Sequence, residues 1–174
     1  MGFILAAMTV ESLFLDESAK SLRQLTSRIE ACFGRLTEDQ IWARGNENEN
    51  AIGNLALHLA GNVRQWIIAT LGGAPDLRKR DEEFAARGGR TAQELIAHLK
   101  DTVEKAAAII PSLDTARLTR EYTIQKYRVS GVTAVYHVVE HFAQHTGQII
   151  FATKMLTGED LGFYSHLKTA APSR

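Results

Sequence analysis

Hydrophobic positions recur along this chain at the three-and-four spacing of amphipathic helices, in four stretches. In the first, residues 9–36, the apolar stripe is Leu22, Leu25, Ile29, Phe33 and Leu36. In the second, residues 50–71, it is Ile52, Leu55, Leu59, Val63 and Trp66, and Gly72-Gly73 followed by Pro75 ends it. The third opens at Thr91, with Glu94 three residues on as a capping box. It continues through Leu95, Leu99, Val103, Ala106 and Ile110 until Pro111 closes it. The fourth, residues 132–156, carries Val135, Val138, Phe142, Ile149 and Leu156 and stops at Gly158.

The pattern predicts an all-α chain, a four-helix bundle with long inter-helix connections. Two connections, 72–90 and 113–131, exceed ordinary bundle loops. In the second, Tyr122, Ile124, Tyr127 and Val129 have the alternation of one or two short strands. No repeat or low-complexity tract interrupts the chain. Its 174 residues fit one domain spanning 1–174.

Composition narrows the function classes. Twenty basic and twenty acidic side chains give a net charge of zero, so no basic surface for nucleic acid is expected. The densest run, Arg78-Lys79-Arg80-Asp81-Glu82-Glu83, mixes both signs and reads as a solvated loop face. The single cysteine, Cys32, falls at helical spacing beside Ile29 and Phe33 and reads as a small core residue. The apolar start, Met1 to Met8, lacks the positive region and length of a secretory signal. No run approaches the ~20 apolar residues of a membrane helix, and a cytoplasmic protein without membrane partners is expected.

The candidate chemistry lies in the six histidines, His58, His98, His137, His141, His145 and His166. Two histidines four apart share one helix face and can reach one ion. With Phe142 at the stripe centre, His145 lies about 60° off, His141 about 100° and His137 about 140°. Thus His141 and His145 form the better inward pair, while His137 is expected outside the ligand set or in solvent. The segment from His137 to His141 also matches the H-x-x-E-H pattern of inverted zinc peptidases. However, Glu140 lies about 160° from the stripe centre, away from the core. A third ligand must come from another helix. His58, in an apolar helix, and His98, about 100° off its own stripe, both remain open on pattern alone. Asn54 and Asn62, one turn either side of His58, are candidates to orient its imidazole or a bound water. Without a metal, three core-facing histidines would need other hydrogen-bond partners.

The run His141-Phe142-Ala143-Gln144-His145-Thr146-Gly147-Gln148-Ile149 resembles the H-x-x-x-H-x-G-Q-I signature of the DinB/YfiT-like superfamily. The segment from Asn54 to Asn62, with its H-L-A-G-N run, is similar to that superfamily's second-helix ligand segment, and Trp42 and Arg44 fit the same branch. The resemblance implies a bundle with rearranged helix order. It also implies one divalent transition-metal ion held by His58, His141 and His145, leaving at least one open position. Zinc is the first expectation, and nickel, iron or manganese also suit imidazole ligands. The activity implied is that of a thiol-dependent S-transferase, acting with a low-molecular-weight thiol on a small-molecule substrate, or of a metal-assisted hydrolase. The alternative is a non-catalytic metal- or ligand-binding module of stress response. Asn54, Asn62, His137, Gln148 and Arg128 are candidate contacts around the metal or substrate, and no general acid or base is fixed by spacing. A homodimer fits the resemblance and the apolar residues Leu57 and Ile68 opposite the second helix's main stripe.

Overall fold

The computed structural model describes residues 9–167; the apolar start and the last seven residues of the expected 1–174 domain lie outside the described residues. The chain is mostly helical, with one small two-stranded sheet. Helix α1 spans Val10–Phe33, capped by Thr9, whose hydroxyl accepts from the Ser12 amide. Helix α2, Glu38–Trp42, is a short element that the hydrophobic pattern does not reveal. Its opening is a capping box between Thr37 and Gln40. Helix α3, Ile52–Val63, runs on without a break into a π-helical stretch, Arg64–Leu71.

Helix α4, Arg80–Ala85, lies inside the first long connection. Helix α5, Ala92–Ile109, starts at the predicted Thr91–Glu94 box, and a 3-10 turn, Ile110–Ser112, contains Pro111. Short helix α6, Thr115–Thr119, leads into strands β1, Glu121–Ile124, and β2, Tyr127–Ser130. The strands pair antiparallel with Ile124 opposite Tyr127, so a two-residue turn joins them. Gln125 in that turn has φ 57°, the left-handed conformation that tight hairpin turns require. Helix α7, Gly131–Thr157, is capped by Ser130 and ends at Gly158 with φ 70°.

Helix α1 packs against α5 and α7, and α3 packs against the same two. The long helices therefore alternate α1–α5–α3–α7 around the core, the rearranged order that the resemblance implies. The consecutive long helices α3 and α5 are neighbours, whereas α1 and α3, and α5 and α7, are not, and residues 34–51 and 110–130 connect them. The predicted stripes are largely the buried positions: Leu22, Ile29, Leu59, Leu99, Val138, Phe142 and Ile149 are fully enclosed. Leu156 departs from its stripe and is exposed, because it lies in the last turn of α7 beyond the core. The predicted free face of the second helix is also corrected. Ile68 is buried in the core and Leu57 packs against it, because α3 and its π-helical extension are covered on several sides. Those two residues therefore give a dimer no support. No helix among the described residues is long and apolar enough to cross a membrane.

Candidate metal centre

Helices α3 and α7 are neighbours in the packing order, and their facing sides bring His58 together with His141 and His145. One donor atom from each lies within 4.8 Å of the others. The three rings meet edge to face, with centroids 5.0 Å apart for His58–His141, 5.1 Å for His58–His145 and 4.5 Å for His141–His145. His58 is buried and the α7 pair is half-buried. In a tetrahedral zinc site with bonds of about 2.0–2.1 Å, two nitrogens stand about 3.3–3.4 Å apart, so the rings would close by at most roughly 1.5 Å on an ion.

The outer nitrogens of two of these rings are engaged by other side chains. Gln148 Oε1 lies 2.6 Å from His145 Nδ1. A carbonyl oxygen only accepts, so Nδ1 carries the proton and Nε2 keeps its lone pair. His58 Nδ1 lies 3.1 Å from both Glu83 Oε2 and Arg78 Nη2. Arg78 Nη2 already donates to Glu83 Oε2 at 2.8 Å. The protonation that satisfies all three groups has His58 Nδ1–H donating to the carboxylate. The Nε2 lone pair of His58 then faces His141 Nε2 at 2.9 Å. Two lone pairs at that distance repel unless a proton or a cation lies between them. Burial, then the charges of His145 and His58, push His141 down to about 3, so it is neutral and ready to ligate at neutral pH. His145 is lowered too, by burial first, against the opposing hydrogen bond that it donates to Gln148.

Glu83 and Arg78 correct the reading of the charge run. Arg78 and Glu83 side chains are only 3% and 11% exposed, so this part of the run is not a solvated face. Lys79 and Glu82, by contrast, pair in solvent. Arg78 Nε donates to Glu83 Oε1 at 2.8 Å, and Nη1 donates to Gln65 Oε1 at 3.0 Å. Burial opposes the charge on Glu83, but Arg78 and His58 outweigh it and hold the carboxyl below the usual range. A carboxylate on the outer nitrogen of a ligand histidine fixes its tautomer and raises its basicity.

The glycines of the second-helix motif explain how this pair reaches His58. A Cβ on Gly61 would stand 2.0 Å from Glu83 Oε1, so only glycine leaves room for the carboxylate on that face of α3. Gly53 takes the Trp42 ring, which would lie 3.0 Å from a Cβ there. Asn54 is placed differently from the expectation. It makes no hydrogen bond to an imidazole among the described residues. Its Nδ2 donates to the carbonyls of Glu83 and Ala86, and its Oδ1 accepts from the Ala51 amide and Arg44. All four hydrogen-bonding positions of this amide are filled, and the end of α4 is pinned to α3 by it. Arg44 reinforces the clamp through the carbonyl of Phe84 at 2.9 Å. The Phe84 ring packs 4.7 Å from His58.

Asn62 is buried and lines a cavity of about 300 Å³ beside the cluster. His137 stacks between Trp66, at 4.0 Å, and His141, at 5.3 Å, and stays outside the cluster. Glu140 is exposed and accepts from Gln144, which removes the peptidase-like reading. His98 and His166 are exposed and outside the cluster. Arg128 is exposed and paired with Glu121 across the hairpin. Pattern reading missed Arg78 and Glu83. One signal was available: a glycine in a helix interior costs up to ~1 kcal/mol against alanine, and Gly61 stands one turn from His58.

Solved structures with the same fold come from two bacteria. A conserved protein from Enterococcus faecalis aligns with a TM-score of 0.71 at 16% identity, covering 88% of this chain and 100% of its own. A DinB-like protein, YjoA, from Bacillus subtilis aligns with a TM-score of 0.64 at 18% identity, covering 85% of this chain and 97% of its own. At these identities the likeness shows the fold, which is DinB-like. Residues 9–169 match the family described as "Protein of unknown function (DUF1572)", and the chain belongs to that family. No curated protein matches it.

Proposed function

We propose that this chain is a four-helix bundle of the DinB/YfiT-like type that holds one divalent transition-metal ion through His58, His141 and His145 and presents it to a small molecule in the adjoining cavity. The observation that carries this reading is the orientation of the rings. Glu83 and Gln148 hold the outer nitrogens of His58 and His145, which leaves the inner nitrogens free to converge. Zinc suits three neutral imidazoles best, and nickel, iron or manganese fit the same donors. When bound, such an ion supplies Lewis acidity. The chain's own residues orient the ligands, favour the neutral form of His141 and His145 by burial, and wall the cavity with Trp66, Asn62 and His137. A thiol-dependent transferase or a metal-assisted hydrolase is the activity this arrangement best serves.

One observation favours the non-catalytic alternative. Among the described residues no Asp or Glu lines the cavity, and Glu83 is engaged by Arg78, so none of them offers a free carboxylate base beside the cluster. Elemental analysis of tag-free protein tests the metal. About one equivalent per chain is expected, lost when all three histidines are replaced by alanine; less than roughly a tenth of an equivalent after supplementation overturns the reading.

A further inference from the structure

The histidine cluster opens onto the 300 Å³ cavity through His58 and His141, both of which line it. Most polar groups in the cavity wall are already matched within the protein. Arg78 serves Glu83 and Gln65. Gln125 donates to Gln65, and the hydroxyls of Thr133 and Ser130 pair with each other. Asn62 is different. It lines the cavity and is only 4% exposed, yet its side chain makes no hydrogen bond among the described residues. Neither its oxygen nor its nitrogen is sealed in the interior, so the little surface that Asn62 keeps includes both ends of the amide. The Trp66 indole nitrogen also lacks a partner, but it is sealed, and no ligand reaches it.

A buried amide without a protein partner finds one in whatever fills the space it faces. Asn62 follows His58 by one turn of α3, so the two side chains share a face of that helix. A molecule held by Asn62 therefore lies beside the histidine cluster. The amide presents an acceptor oxygen next to N–H donors, whichever way round it is turned. A second amide, with its own N–H beside its own carbonyl, matches both. A carboxylate leaves the Asn62 oxygen without a donor, and an ammonium or amidinium leaves its nitrogen without an acceptor. Charge does not override this preference. Arg78 is neutralised by Glu83, Arg80 is exposed to solvent, which screens it, and among the described residues no Asp or Glu lines the cavity to attract a cation. The rest of the wall includes Val129 and the rings of Trp66 and His137, which lie 4.0 Å apart.

We propose that the cavity binds a small neutral carboxamide, its N–H and carbonyl pairing with Asn62 and its apolar body resting on Val129 and the Trp66–His137 rings. This names the class of molecule presented to the metal centre and rests on that reading for its meaning. Binding itself uses Asn62 and not the ion, so the two readings fail separately.

The test titrates isotope-labelled protein with benzamide, acetophenone and benzoate, as purified, after chelation and after addition of zinc. NMR follows the side-chain N–H pair of Asn62, identified by its loss in Asn62→Leu. Asn54 is an internal control, because its amide positions are all filled within the protein. Benzamide is expected to shift the Asn62 pair saturably, with Kd below about 5 mM, and to leave Asn54 unmoved. Acetophenone has the same shape without the N–H donors. It and benzoate are each expected to bind at least about tenfold more weakly, because a site built around a hydrogen bond rejects the analogue that lacks it. Asn62→Leu is expected to weaken benzamide at least about tenfold by calorimetry, while its Tm falls by no more than about 4 °C, since no protein group loses a partner. A weaker or unsaturable response of Asn62, a smaller preference over acetophenone or benzoate, or undiminished affinity in Asn62→Leu overturns the proposal. A larger fall in Tm, or failure of that variant to fold, also overturns it by marking Asn62 as structural. The three-ligand comparison judges recognition in the unaltered chain, whatever the variant does. If benzamide binds and no metal does, the metal centre fails alone; if metal binds and Asn62 does not respond, the carboxamide site fails alone.

Discussion

Replacing Glu83 separates stability from metal binding, because its carboxylate serves two partners. It neutralises Arg78, whose side chain is 3% exposed, through bonds of 2.8 Å, and it takes the His58 Nδ1 proton at 3.1 Å. In Glu83→Ala the Arg78 guanidinium stays buried without a counter-charge, a loss of about 3–5 kcal/mol. For a chain of this size each kcal/mol lowers Tm by about 2–4 °C, so a drop of roughly 6–20 °C is expected in metal-free protein. The double variant Arg78→Met/Glu83→Met removes both charges and is expected to regain most of that loss, since apolar replacement of a buried ion pair is often neutral or better. Metal affinity should behave otherwise. Both variants free the His58 ring, and both should bind zinc about 10–100-fold more weakly. Urea denaturation followed by circular dichroism reads the first quantity, and titration calorimetry with zinc reads the second. A double variant that recovers metal affinity along with stability would refute the role given to Glu83. A loss below about 1 kcal/mol in Glu83→Ala would refute the burial argument.

Gly61→Ala adds a methyl 2.0 Å from Glu83 Oε1, and although alanine favours helix, a net loss of about 1–3 kcal/mol with weaker zinc binding is expected by thermal denaturation and calorimetry. Thr91→Ala removes the α5 cap and should cost about 1 kcal/mol in urea denaturation. The backbone amide and hydroxyl of Thr91 hold the Glu94 carboxyl below its usual range. A depressed carboxylate stabilises above its unfolded pKa of about 4.3 and loses that effect as pH falls through the folded value, so the Thr91→Ala deficit should narrow in acid. Burial, opposed by Thr153, raises the Cys32 thiol, and its side chain is fully enclosed. Thiol reagents should leave Cys32 unmodified in folded protein and label it promptly in denaturant, as mass spectrometry would show.

Periodicity in the sequence was sufficient for the long helices, the cap at Thr91 and the short strands before α7, because local steric and capping preferences set them. Helix α2 was hidden because five residues cannot display a 3.6 period. The π-helical stretch was hidden because its hydrogen bonding shifts by one residue without changing which residues are apolar.

Helical phase along α7 by itself determined that His141 and His145 face inward and that Glu140 faces water, since residues on one helix keep fixed angles about its axis. Pattern alone left His58 and His98 open as the third residue, and motif resemblance chose His58. Tertiary structure decided the rest, because only packing brings residues distant in sequence to one point. It placed His58 in the cluster and left His98 in solvent. It buried Arg78 and Glu83 from a charge run that looked solvated, and it turned Asn54 from a candidate for the imidazole into the clamp on α4. A charged side chain's fate is set by what folds over it: Glu83 lies 25 residues from His58, and Gly61 leaves the space in which they meet.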